Sequence, residues 1–218
     1  MLLMKKWFLF AGLFALAALC LPVRALAQFD SQFYHPTRAW RTHDLPTHDD
    51  VWLKTEKDTL HCIWCVPEGT PVTTVFFAHG NFGNISYNDR LGKALVDAGY
   101  QVFAIDYPGF GHSNGVPTHA GSASCGQEAF EYLLRRDDVK GTKIRLFGSS
   151  IGTQLATKLA KDNREAICGL VLDSGMCSFT DMALVSSPPD SHDAIRQYVT
   201  SPYSSETDIT YLEGVPKL

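Results

Sequence analysis

The pentapeptide Gly148-Ser149-Ser150-Ile151-Gly152 constrains this chain more than any other feature, because of what lies on either side of it. The run TKIRLF at 142–147 precedes it with strand character, and TQLATKLAKD at 153–162 follows it with helical spacing. A strand that gives way to a helix across so few residues needs a sharp turn. Such a turn brings backbone too close for a Cβ two positions before and after its centre. Gly148 and Gly152 hold those two positions, and Ser150 holds the centre.

The same alternation extends along the chain. VTTVFFA (72–78), QVFAID (101–106) and CGLVLD (168–173) are apolar, β-branched runs without polar alternation, as expected of strands covered on both faces. RLGKALVDAG (90–99) reads as a helix closed by Gly99, and SASCGQEAFEYLLRR (122–136) reads as another. Upstream, VWLKTE and TLHCIWCV flank a turn at Lys57-Asp58 and predict an antiparallel pair. Strands alternating with helices across short connections predict an α/β fold, a doubly wound and mostly parallel sheet, over 50–218. Residues 174–213 break the rhythm with Ser-Ser-Pro-Pro and several acids, and are expected to roof the sheet, with a short helix near 194–199. VPKL at 215–218 returns to strand character.

The first 27 residues stand apart from this domain. Lys5 and Lys6 precede an apolar run from 7 to 21, and Ala25-Leu26-Ala27 has the small-x-small pattern of a signal peptidase site, so cleavage is expected before Gln28 and the product is expected to be exported, periplasmic or secreted. The alternative is a membrane anchor left uncleaved. Pro22 and Arg24 stop the run short of the roughly 20 residues that cross a bilayer. Residues 28–49 show little periodicity and read as a leader over the domain surface. Removing 1–27 takes Lys5, Lys6 and Arg24 from 19 basic residues and nothing from 23 acidic ones, a net charge of about −7 that excludes an electrostatic nucleic-acid binder.

Cys62, Cys65, Cys125, Cys168 and Cys177 follow the cleavage site. Cys62 and Cys65 resemble a redox or metal pair, but in an extended strand they span about 10 Å and face opposite sides, so strand packing is expected instead. His43, His48 and Asp49 are weighed as metal ligands and read as a solvated loop. No cofactor or metal is expected.

In this context Ser150 is the candidate catalytic nucleophile, raised above the sheet edge at the start of a helix whose positive end faces the reacting centre. The backbone N–H of Ile151 is then a candidate oxyanion donor. HGNFGN (79–84) follows an earlier buried strand, and its glycine turns an N–H, that of Asn81, toward the same place. His79 reads as the residue ordering this loop.

HGNFGN, DYPGFGHSNG (106–115), FGSSIGT (147–153) and LVLDSGMCSFTDMA (170–183) together resemble the Bem46-like branch of the α/β-hydrolase superfamily, close to the serine aminopeptidase and monoglyceride lipase type, over about 50–218. The resemblance implies an α/β-hydrolase fold and acyl transfer through serine, acid and histidine in that chain order. It also implies that the acid and the histidine follow the strand begun by VPKL, so the chain is expected to lack the last strands and helices of the fold. Asp173 is a candidate substitute acid, with capping of the next turn as its rival role. His112, His119 and His192 are candidate bases that the sequence alone does not bring to Ser150. Two readings follow. One is a serine hydrolase cleaving an ester, thioester or amide of a small or lipid-like acyl substrate. The other is a catalytically silent remnant or binding module.

Overall fold

A computed structural model of the chain describes residues 29–41 and 46–218. The signal-peptide reading of 1–27 and His43 of the weighed metal set lie outside the described residues.

Strands β1 (His48–Lys54) and β2 (Thr59–Cys65) form the expected antiparallel hairpin. Its turn is closed by the Thr55 N–H, which donates to the Asp58 carbonyl at 2.9 Å. β1 starts at His48, so His48 and Asp49 belong to a hairpin and not to a solvated loop. Their register opposite Cys65 and Trp64, with Asp50 opposite Ile63, extends the ladder by three residues that composition alone does not mark as strand.

β3 (Thr73–Ala78), β4 (Gln101–Ile105), β5 (Lys143–Ser149) and β6 (Gly169–Asp173) complete a sheet ordered β1-β2-β4-β3-β5-β6. β2 pairs antiparallel with β4, and the remaining pairs are parallel. The register sets Ala78 opposite both Ile105 and Gly148, and Ser149 opposite Asp173. Four strands therefore end at one edge, and the four motif-bearing loops leave the sheet together there. Pro216–Leu218 lies parallel beside β6: the Pro216 carbonyl accepts from the Leu170 N–H at 3.0 Å, and Leu218 exchanges hydrogen bonds with Leu170 and Leu172.

Helices α1 (Asp89–Asp97), α2 (His119–Arg135) and α3 (Gly152–Asp162) cover the sheet. Leu91, Leu95 and Val96 of α1 pack on the face presenting Ile63, Cys65, Val75 and Phe77. The other face carries the larger core, including Cys62, Trp64, Phe76, Phe103, Phe130, Leu146 and Leu159. Cys62 and Cys65 are thus both buried on opposite faces, and each is a free thiol. α2 begins three residues earlier than its apolar pattern suggests, because the Thr118 hydroxyl accepts the Gly121 N–H at 2.9 Å and caps the helix there.

The roof contains α4 (Phe179–Val185), α5 (His192–Tyr198) and α6 (Ser205–Asp208). Its anchor is the elbow helix. The Gln154 side chain donates to the Met176 carbonyl at 2.6 Å and accepts the Ser205 N–H at 3.1 Å, while the Ser205 hydroxyl donates to Thr153 and Thr157 of α3. The leader also does more than lie on the surface, since Phe33 and Tyr34 are buried members of the main core.

Candidate active site

Ser150 sits at φ +51°, in the left-handed region that a side chain occupies only when its surroundings hold it there. Three contacts supply that hold. Its N–H donates to the Asp173 carbonyl at 2.8 Å, its carbonyl accepts from the Thr153 N–H at 3.0 Å, and the Thr153 hydroxyl donates to the same carbonyl at 2.6 Å. The flanking glycines are required by crowding. A Cβ on Gly148 would lie 2.6 Å from the Gly152 carbonyl carbon and 2.7 Å from the Thr153 Cα, while one on Gly152 would lie 2.7 Å from the His79 carbonyl oxygen. The start of α3 is thus driven against the end of β3, and this brings the two candidate oxyanion segments together. Gly80 comes closest, with a Cβ built there falling 3.3 Å from the Ser150 Cβ.

Ile151 lies in the turn opening α3, with its side chain buried in the core. Asn81 is in the turn after β3, and its side-chain oxygen accepts the His35 N–H from the leader at 2.7 Å. The leader strap continues past this point. Thr37 and Ala39 carbonyls accept from the Asn84 side chain at 3.0 and 2.9 Å, and the Thr37 carbonyl also accepts the Gly111 N–H.

His79 is fully buried and orders its loop from within. Its Nε2 is 3.2 Å from Asp106 Oδ1, and its carbonyl accepts the Tyr107 hydroxyl at 2.6 Å. Asp106 also accepts the Ile85 N–H at 2.8 Å. Burial alone pushes the Asp106 carboxyl up, but the His61 and His79 rings beside it outweigh that and hold the group below its ordinary range.

The other triad candidates are engaged elsewhere. Asp173 is exposed, and its carboxylate accepts the hydroxyls of Ser149 at 3.0 Å and Ser174 at 3.3 Å, the latter residue at φ +53°. It braces the elbow through its carbonyl and the adjacent turn through its side chain. His112 stacks with Trp40 at 4.5 Å between ring centroids, on the side of the hairpin. His192 opens α5 and places Nε2 3.2 Å from the Ser187 carbonyl. His119 is buried, with Nδ1 3.1 Å from the Tyr34 hydroxyl and Nε2 3.3 Å from Asp30. Burial pushes His119 down to about 4, so the neutral ring accepts from Tyr34 and presents its N–H to Asp30. Phe179 of the roof lies 3.6 Å from this ring, centroid to centroid. Among the described residues no hydrogen bond joins any of these imidazoles to the Ser150 hydroxyl.

Sequence reasoning missed Asp30, His61, Asp106 and Tyr107. The Asp30–His119 contact joins residues 89 apart, which no local pattern reports. Asp106 and Tyr107 stand in the sequence as the end of a strand run and the opening of DYPGFGHSNG, without a sign of their partners. Among the described residues no group of three or more His, Cys, Asp or Glu is arranged to hold a metal ion, and no helix is long and apolar enough to cross a membrane.

Comparison with known proteins agrees with this geometry. The profile of the serine aminopeptidase S33 family matches residues 69–201. The uncharacterised protein YfhR of Escherichia coli K12 is 30% identical over 192 residues, covering 85% of this chain and 66% of its own length. Protein bem46 of Schizosaccharomyces pombe is 32% identical over 153 residues, 70% of this chain and 50% of that protein. The chain thus spans about half to two-thirds of these relatives. An α/β-hydrolase from Vibrio vulnificus superposes with a TM-score of 0.66 at 25% identity, over 76% of this chain and 60% of that one.

Proposed function

Because the chain belongs to the serine aminopeptidase S33 family of α/β-hydrolases, we propose that it is built for acyl transfer through Ser150, cleaving an ester, thioester or amide of a small or lipid-like acyl group. The observation that carries this reading is the elbow: a strained serine between two glycines that admit no Cβ, packed against Gly80 at the shared end of the parallel strands. In the proposed reaction the Ser150 oxygen attacks the acyl carbon, and the N–H groups of Ile151 and Asn81 stabilise the oxyanion that forms. The base that takes the serine proton is a histidine, as the family's order of serine, acid and histidine implies.

A second reading, a binding module on the same scaffold, is favoured by the engagement of His79, His112, His119 and His192 with partners other than Ser150. A fluorophosphonate probe separates the two. Labelling that maps to Ser150 and disappears in Ser150→Ala supports acyl transfer. Absence of labelling in the protein, with the fold intact by circular dichroism, sinks it. The same proposal places the protein outside the cytoplasm after cleavage of 1–27, and exported protein beginning at Gln28 is the expected N-terminal sequence.

A further inference from the structure

A line of alternating acids and imidazoles runs from the surface hairpin to the turn beside Ser150. At its outer end Asp50 of β1 is 57% exposed, and its Oδ1 lies 2.7 Å from Nε2 of His61 on β2, whose side chain is 1% exposed. The His61 Nδ1 faces Asp106 Oδ2 at 3.9 Å, and Asp106 Oδ1 faces His79 Nε2 at 3.2 Å, with Asp106 and His79 both fully buried. Gly111, at φ +50°, leaves the room the Asp106 carboxylate occupies, since a Cβ there would fall 2.9 Å from the Asp106 Cγ. The inner end is Gly80, next in sequence to His79 and packed on the Ser150 Cβ.

Three buried polar atoms on this line, His61 Nδ1, His79 Nε2 and Asp106 Oδ2, have no hydrogen-bond partner among the described residues. Their contacts are therefore largely charge on charge, and a buried carboxylate is costly unless a neighbouring cation balances it. Of the two rings facing Asp106, His61 is the one that also faces a second carboxylate, Asp50, so it lies between two negative charges.

We propose that His61 is a positioning residue: its positive charge, clamped between Asp50 and Asp106, is felt through Asp106 and His79 by the Gly80–Asn81 turn, which is held firm when His61 is protonated and loosens when it is neutral. The proposal rests on the reading of that turn as an oxyanion site. The groups facing the clamp are known from every side. His48 lies 4.0 Å from Asp50, His112 stacks at 5.0 Å from the His61 ring, and Trp40 and Trp52 close it from the leader and β1 at 5.0 and 4.7 Å. Burial pushes His61 down, but the Asp106 and Asp50 carboxylates outweigh it and raise the ring above its ordinary 6.5. The change of state therefore falls above pH 6.5.

The test uses the full chain, isotopically labelled, with the His61 ring titration followed by NMR beside exchange protection of the His35 amide, whose N–H the Asn81 side chain accepts, and, as a distant reference, of Leu159 of α3. If opening the turn is coupled to His61 by one pKa unit, protection at the His35 amide falls about tenfold as pH rises through the His61 midpoint, and Leu159 keeps its protection. His61→Gln should abolish the step. Asp50→Asn, at an exposed position that leaves folding intact, should move both the ring midpoint and the step to lower pH together, by about one unit. A step that persists in His61→Gln, or one that stays put while Asp50→Asn moves the ring midpoint, overturns the proposal. None of these measurements uses Ser150 reactivity, so a failure of probe labelling and a failure of this coupling are separate results.

Discussion

The close approach of α3 to β3 can be probed at Gly152. A Cβ there would sit 2.7 Å from both the Ala78 carbonyl carbon and the His79 carbonyl oxygen, and closer still to the Ala78 oxygen, where real Cβ contacts stay beyond 3.0 Å. Every obstructing atom is backbone, and Ala78 is held in ladders on both sides, opposite Ile105 and Gly148, so no rotamer change relieves the clash. Gly152→Ala therefore forces the strand end and the helix start apart, a cost at the upper end of overpacking, about 3 kcal/mol. Alanine's better helix propensity returns up to about 1 kcal/mol, leaving a net loss of roughly 2 to 3 kcal/mol. For a chain of this size that lowers Tm by about 4 to 12 °C. The assay is denaturant unfolding followed by circular dichroism, with Gly169→Ala as control. A Cβ at Gly169 meets nothing nearer than 3.6 Å, so the control should stay within about 0.5 kcal/mol of wild type. If Gly152→Ala unfolds at the wild-type midpoint, or the control loses as much, the packing argument for the elbow is wrong.

Other expectations concern the strain, the strap and the buried histidine. Ser150 in the left-handed region costs roughly 1 to 2 kcal/mol, which glycine relieves at the expense of about 0.4 to 1 kcal/mol of unfolded-state entropy, so Ser150→Gly should be more stable than Ser150→Ala by up to about 1.6 kcal/mol while neither reacts with the probe. The opposite order in a denaturant titration would contradict the strain. Phe33→Ala should cost about 3 kcal/mol or more in the same titration, because this ring packs edge-on to Phe179 at 5.2 Å inside the core; a loss under 1 kcal/mol would make the leader dispensable. His119 is held neutral down to about pH 4, whereas an unfolded histidine takes a proton near 6.5, so its burial costs stability as pH falls from 6.5 toward 4. Stability measured across that window should fall less steeply in His119→Gln than in wild type, and equal slopes would refute the assignment.

Much of the fold was legible because its signals are local. Buried strands announce themselves as unbroken apolar runs, helices as 3.6-residue spacing, and the elbow as two glycines around a serine between a strand and a helix. The antiparallel opening pair, the parallel strands, the roof helix near residue 195 and the return to strand at VPKL all follow from such runs. The opposite facing of Cys62 and Cys65 follows from the two-residue period of a strand.

What only the tertiary structure decided depends on residues far apart in the chain. Phe33 and Tyr34 sit in a segment without periodicity, and become core because the roof's Phe179 closes over them. Strand order brought His61 of β2 beside Asp106 at the end of β4, since β2 and β4 are neighbours in space while β3 intervenes in sequence. Burial then made the pairing of these groups decisive, because a carboxylate inside a protein must find its balance among whatever side chains the fold delivers to it.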